Sequence, residues 1–141
     1  MHEVTSPKEL HDIWPLIRDG LTCIGARCKG IVEMPEDAYF AIKNGTDKLL
    51  IATIDGQYQG FVTTRMVNHP DGVCIHIQSC HNAGVDPDFV ENCYELIDHI
   101  ATLIGAIRIS ACSSRKGWEK AAKRLGYANV ATITYYERTA L

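Results

Sequence analysis

Residues 74–112 read CIHIQSCHNAGVDPDFVENCYELIDHIATLIGAIRISAC, and the way this stretch divides decides the fold. Its opening alternates: read as a strand, it sends Cys74, His76, Gln78 and Cys80 to one face and Ile75, Ile77 and Ser79 to the other. NAGVDPD breaks that pattern. From about Pro87 to Ile104 the apolar residues then recur at helical spacing, with Phe89, Val90, Cys93, Leu96, Ile97, Ile100, Leu103 and Ile104 in one stripe and Glu91, Asn92, Glu95, Asp98 and His99 outside it. Asp86 is placed to cap this helix and Gly105 to stop it. AIRISAC (106–112) reads as a further strand. Strand, long helix, strand is a crossover connection, which lets the two strands lie parallel.

Upstream, LLIATI (49–54), Asp55-Gly56 and YQGFVTTRMV (58–67) make a hairpin, because Asp-Gly accepts the positive φ angles of a tight turn. NHPDG (68–72) turns the chain again into the opening stretch, so three successive strands form an antiparallel meander. PEDAYFAIKNG is punctuated as a short helix, with Pro35 at its start, Glu36 and Asp37 in the first turn, and Asn44-Gly45 as the stop. Ala38, Tyr39 and Ile42 are its expected core face. In SPKEL, Ser6 is set to cap, Pro7 to open the first turn and Glu9 to close a capping box. Leu10, Ile13, Trp14 and Ile17 then make one apolar face, and Pro15 inside it predicts a kink or an early end. Residues 20–34 carry three glycines without a clear period and read as a loop with at most one helical turn.

Downstream, SSRKGWEKAAKRLG reads as a capped helix with Trp118, Ala121, Ala122 and Leu125 inward, and VATITYYER (130–138) as the last strand. The expected fold is mixed α/β: a mostly antiparallel central sheet with helices on both faces, in one domain spanning residues 1–141. A chain of 141 residues with 46% hydrophobic content suits that size of core.

With 14 Lys plus Arg against 17 Asp plus Glu, the balance is mildly acidic, and nucleic acid is not the expected partner. No apolar run has the length of a membrane span, and MHEVTSPKEL lacks the apolar segment of an export signal. The expectation is a soluble, cytoplasmic protein. Its six cysteines, Cys23, Cys28, Cys74, Cys80, Cys93 and Cys112, are then read as reduced thiols, with Cys93 and Cys112 acting as small hydrophobes.

Cys74, His76, Cys80 and His81 raise the question of zinc. Tetrahedral zinc needs four converging ligands, whereas a continued strand points Cys80 and His81 to opposite faces. No metal is expected. Cys80 as a nucleophile with His76 as its base is compatible with the alternation but lacks a third, orienting group in the sequence. Arg115, Lys116, Lys120, Lys123 and Arg124 put five positive charges around Trp118, read first as a solvated face and otherwise as a contact for a phosphate or an acidic partner.

The order of elements, together with RKGWEKAAKRLGY followed by a strand, resembles the GNAT N-acyltransferase superfamily over roughly residues 35–138. PEDAYFAIKNGTDKLLIATIDGQYQGF is further similar to GNAT-like proteins encoded by bacteriophages and prophages. The resemblance implies a fold that binds acetyl-CoA at the turn after the fourth strand, where a Gln/Arg-x-x-Gly-x-Gly/Ala motif offers backbone N–H groups to the pyrophosphate. Asn82, Ala83 and Gly84 would lie there, with Ser114 and Arg115 as further cofactor contacts. It also implies a base, assigned to His76 or His81, and an acid, for which Tyr127, Tyr135 and Tyr136 are substitutes by proximity, Tyr127 first. The sequence departs from the pattern in two places. HNAGVDPD keeps only Gly84 of the motif, with Asp86, Pro87 and Asp88 beside it, and Ala122 stands where many relatives carry a tyrosine acid. These departures favour a GNAT-fold protein without catalysis, a virion or host-interaction component with a protein partner. The alternative is a small acetyl-CoA-dependent N-acetyltransferase.

Overall fold

The computed structural model describes residues 1–27, 34–84, 86–111, 124 and 126. In chain order its elements are β1 (His2–Glu3), α1 (Pro7–Arg27), α2 (Pro35–Lys43), β2 (Asp47–Ile54), β3 (Gln57–His69), β4 (Gly72–Asn82), α3 (Phe89–Ile104) and β5 (Arg108–Ala111). The strands form one sheet in the order β1-β2-β3-β4-β5. Neighbours are antiparallel except β4 and β5, which run parallel across the α3 crossover. Of the helix and strand expected at 113–138, residues 124 and 126 are described and the rest, Trp118 included, lie outside the described residues.

The sheet separates two cores. On one face Leu49, Ile51 and Phe61 pack against Leu10, Ile17 and Leu21 of α1 and Ala38 and Ile42 of α2. On the other, Leu50, Val62, Ile75 and Ile77 meet Tyr94, Ile97 and Ala101 of α3. Alternate residues of β2 and β3 supply opposite faces, as a pleated strand requires. At the β2–β3 turn Asp55 and Gly56 take φ of 51° and 76°, the left-handed pair that matches the twist of a two-residue hairpin.

Three expectations need correction. Pro15 does not end the first helix, and residues 20–27 are helical rather than loop. The apolar series Leu10, Ile13, Ile17, Leu21 and Ile24 continues at helical spacing past the proline, with Ile17 and Leu21 buried. Burying that stripe outweighs the one hydrogen bond the proline removes. The capping box is half made: Ser6 Oγ accepts from the Glu9 backbone N–H at 3.4 Å, while the Glu9 carboxylate turns to His2 Nε2 at 2.6 Å.

The third correction concerns α3, which begins at Phe89 and buries Phe89, Cys93, Tyr94, Ile97 and Ala101. Leu103 is 71% exposed and Ile104 41%. Leu103 falls about 200° around the helix from Ala101, away from the sheet. Tyr94 takes an inward place that the sequence pattern had not assigned, and Gly105 stops the helix at φ 70°. No helix among the described residues is long and apolar enough to cross a membrane.

Candidate functional site

The site is organised by an irregularity in β4. Thr63 pairs with Ser79 and Thr64 with Ile77, so Gln78 is an extra residue, a β-bulge. One inserted residue inverts the facing of everything after it. Ser79 therefore does not share a face with Ile75 and Ile77 as the alternation predicted; it is buried and hydrogen-bonded to Thr63. Cys80 joins the α3-side core instead of lying beside His76. His81 turns to the α1 side, its ring tilted against Phe61 with centroids 5.8 Å apart. The bulge thus brings His76, Ser79 and His81 to one face. An unbroken strand would have placed His81 on the face opposite His76.

α1 comes close to this face at Gly20. A Cβ there would stand 2.5 Å from the Phe61 ring and 2.8 Å from that of His81, so the absence of a side chain is what lets the helix lie against the histidine. Before the bulge, one row crosses four strands: Asp47 pairs with Arg65, Arg65 with His76 and His76 with Ser110. The Asp47 carboxylate is 2% exposed and receives the Arg65 guanidinium in two places, Nε to Oδ1 at 2.5 Å and Nη2 to Oδ2 at 3.1 Å. His76 Nδ1 lies 2.8 Å from Ser110 Oγ. Burial first, then the Arg65 charge, hold the His76 imidazole below its ordinary pKa, with Asp47 opposing.

Cys80 hydrogen-bonds Cys93 across β4 and α3, and that bond together with burial pushes the Cys93 thiol up. Cys80 and His76 stand on opposite faces, which removes both the Cys–His dyad and a four-ligand grouping of Cys74, His76, Cys80 and His81. Cys23, Cys74, Cys80 and Cys93 form no disulfide among the described residues.

After β4 the backbone closes on itself. The N–H groups of Ala83 and Gly84 both donate to Gln59 O, at 2.9 and 3.0 Å. Asn82 Nδ2 donates to Asp86 O at 3.1 Å, Asp86 Oδ1 accepts from Asp88 N at 2.9 Å, and Phe89 N donates to Asp86 O at 3.4 Å. Pro87 has no N–H to give. The N–H groups of Ala83, Gly84, Asp88 and Phe89 are thus engaged within the turn, beside the Asp86 and Asp88 carboxylates. The sequence candidates Asn82, Ala83 and Gly84 all lie in this turn, with the Ala83 and Gly84 N–H groups directed to Gln59. Ser114, Arg115, Ala122 and Tyr127 lie outside the described residues. Of the five basic side chains, Arg124 is described, and it pairs with Glu91 of α3 at 2.8 Å. The described pairing of β4 with β5 runs from Cys74 to Ile77.

With this geometry in hand, the chain can be set beside known proteins. No protein-family model matches it, and comparison with curated proteins finds no match. Solved structures do match over nearly the whole chain. A ribosomal-protein-alanine N-acetyltransferase from Brucella melitensis biovar Abortus 2308 superposes with a TM-score of 0.69 at 12% identity, covering 99% of this chain and 100% of that one. A predicted acetyltransferase with acetyl-CoA from Clostridium acetobutylicum gives 0.68 at 13%, covering 98% and 95%. The aminoglycoside N-acetyltransferase AAC(6')-Iy in complex with CoA gives 0.66 at 13%, covering 99% and 98%. At these identities the likeness establishes the fold, and the fold is that of the GNAT acetyltransferases. Nothing in these matches bears on a phage or prophage origin.

Proposed function

We propose that this chain is a small N-acyltransferase that moves an acyl group, acetyl in the first instance, from a thioester to an amine. The observation that carries the reading is the Gln78 bulge, because it gathers His76, Ser79 and His81 on one face of a fold whose structural neighbours bear acetyltransferase names. In such a transfer the amine nitrogen attacks the thioester carbonyl, the new C–N bond forms, the C–S bond breaks, and the amine proton must be taken up. His76, below its ordinary pKa, is neutral and able to accept that proton at neutral pH. His81, under Gly20, is the second candidate. The proton for the leaving thiolate was assigned from sequence to Tyr127.

Acetyl-CoA and CoA accompany two of the neighbours, and acetyl-CoA is the donor to test first. The closed loop after β4 favours a second reading, a GNAT-fold protein kept for binding a protein partner without catalysis. The same observation also fits an acyltransferase whose donor is not held by its diphosphate. Thiol release from acetyl-CoA and from acetyl-pantetheine, each with a panel of primary amines, decides between the two readings. Release from either donor, lost in His76→Gln, supports transfer. No release and no binding of either donor supports the binding module.

A further inference from the structure

We propose that Arg65 and Asp47 are positioning residues for His76, with Ser110 completing the arrangement: together they fix the ring and hold one positive charge beside it. The four residues occupy one level of four adjacent strands, so their order is set by backbone pairing rather than by side-chain flexibility. A guanidinium held at both Nε and Nη2 by one carboxylate cannot swing away from its neighbour, and the carboxylate that holds it is buried. A buried ion pair is weak evidence for stability, since its desolvation offsets most of its attraction. Its place in the row supplies a different reason for it. Arg65 faces His76 directly and disfavours the imidazolium, while Asp47, one strand further, tempers the effect. Ser110 engages Nδ1, which leaves Nε2 as the nitrogen open to an incoming proton.

Other groups around His76 contribute little charge. α1 presents Gly20, Leu21 and Ile24 to the sheet, and α2 presents Ala38 and Ile42. On β4 the same face carries the buried thiol of Cys74 before His76, and Ser79 and the His81 imidazole beyond the bulge. On β5, Arg108 is two positions from Ser110 and is paired with Asp71. The sign and size of charge at His76 are therefore governed by Arg65 and Asp47. The inference rests on the acyl-transfer reading only for the use to which a neutral His76 is put.

The test is an NMR titration of the histidine ring signals in the full chain, with His76 assigned from the signal lost in His76→Gln. Arg65→Gln should raise the His76 midpoint, and Asp47→Asn should lower it. Arg65→Lys, which keeps the charge, should stay nearer the native value than Arg65→Gln. Opposite signs from two members of one ion pair are not produced by a merely structural role. Shifts in the same direction, or no shift in Arg65→Gln, overturn the proposal. If Asp47→Asn does not fold, the contrast between Arg65→Gln and Arg65→Lys decides alone: equal midpoints overturn it. Thiol release is read separately. Where it occurs, its acid limb should follow the His76 midpoint in each variant. Its absence throughout would remove the acyl-transfer reading while the titration still judges the row.

Discussion

Tyr58 carries a hydroxyl that is buried and meets no hydrogen-bond partner among the described residues. Its ring packs beside the α1-side core, and burial pushes its pKa up to about 12. An unpaired buried hydroxyl costs roughly 1–3 kcal/mol, so Tyr58→Phe should raise the urea-denaturation stability by about 1 kcal/mol. Because the folded value lies above the unfolded one, this group's contribution is present below about pH 10 and lost as pH rises through about 12. Ultraviolet titration should show one phenol that ionises near pH 12 vanish in Tyr58→Phe, and an unchanged titration would count against this burial. His76 has the opposite sign. Its folded pKa is depressed, so its contribution is present above the ordinary imidazole value, about 6.5, and lost as pH falls below it. Gly60, at φ 152°, leaves no room for a Cβ against the His81 carbonyl and the Phe89 ring. Gly60→Ala should cost about 1–3 kcal/mol by the same denaturation measurement.

Among the elements, the turn from β4 into α3 makes the sharpest claim on function. Ala83 and Gly84 give their N–H groups to Gln59, and Asp86 caps the backbone at Asp88, with the carboxylates of Asp86 and Asp88 beside them. Acetyl-CoA should therefore bind no more tightly than acetyl-pantetheine, within a factor of about three, in calorimetric titrations at low and moderate salt. Salt-resistant binding of acetyl-CoA at least tenfold tighter would overturn this account of the turn. The place of that turn was legible in the sequence, because Asn82 to Asp88 break both the strand and the helix pattern. The hairpin, the short second helix and the crossover were legible for a similar reason: Asp55-Gly56, Pro35 with Asn44-Gly45, and the α3 stripe are local signals. The bulge at Gln78 was not. Its cause is the pairing of β4 with Thr63 and Thr64 on another strand, which no local pattern records, and so Cys80 and His81 were assigned to the wrong faces. The row Asp47–Arg65–His76–Ser110 was missed likewise, because its members are distant in sequence and adjacent only through register.

At the scale of the molecule, the sheet is a wall between two cores, and β3 shows it most plainly: Phe61 and Val62 are adjacent in sequence, fully buried, and belong to opposite sides. Packing defects on the two sides should therefore act independently while the sheet keeps unfolding cooperative. Ile51 on the α1 side is 2% exposed and Ile97 on α3 is 1% exposed. Ile51→Val and Ile97→Val should each cost about 0.5–1.5 kcal/mol. The double variant should equal their sum to within about 0.5 kcal/mol, since the two sites share no packing partner. Urea unfolding should nevertheless remain one transition, with backbone circular dichroism and tryptophan fluorescence coincident, because β2 and β3 wall both cores. Trp14, stacked edge-on to Tyr39 at 4.9 Å, reports on the α1 side. A fluorescence transition that precedes the backbone signal in Ile51→Val, read in a Trp118→Phe background so that Trp14 alone is observed, would mean that the α1–α2 layer unfolds before the sheet. Gly20 and its contact with His81 would then be lost while His76 kept its strand partners, which would leave the Asp47–Arg65–His76 row as the more durable part of the site.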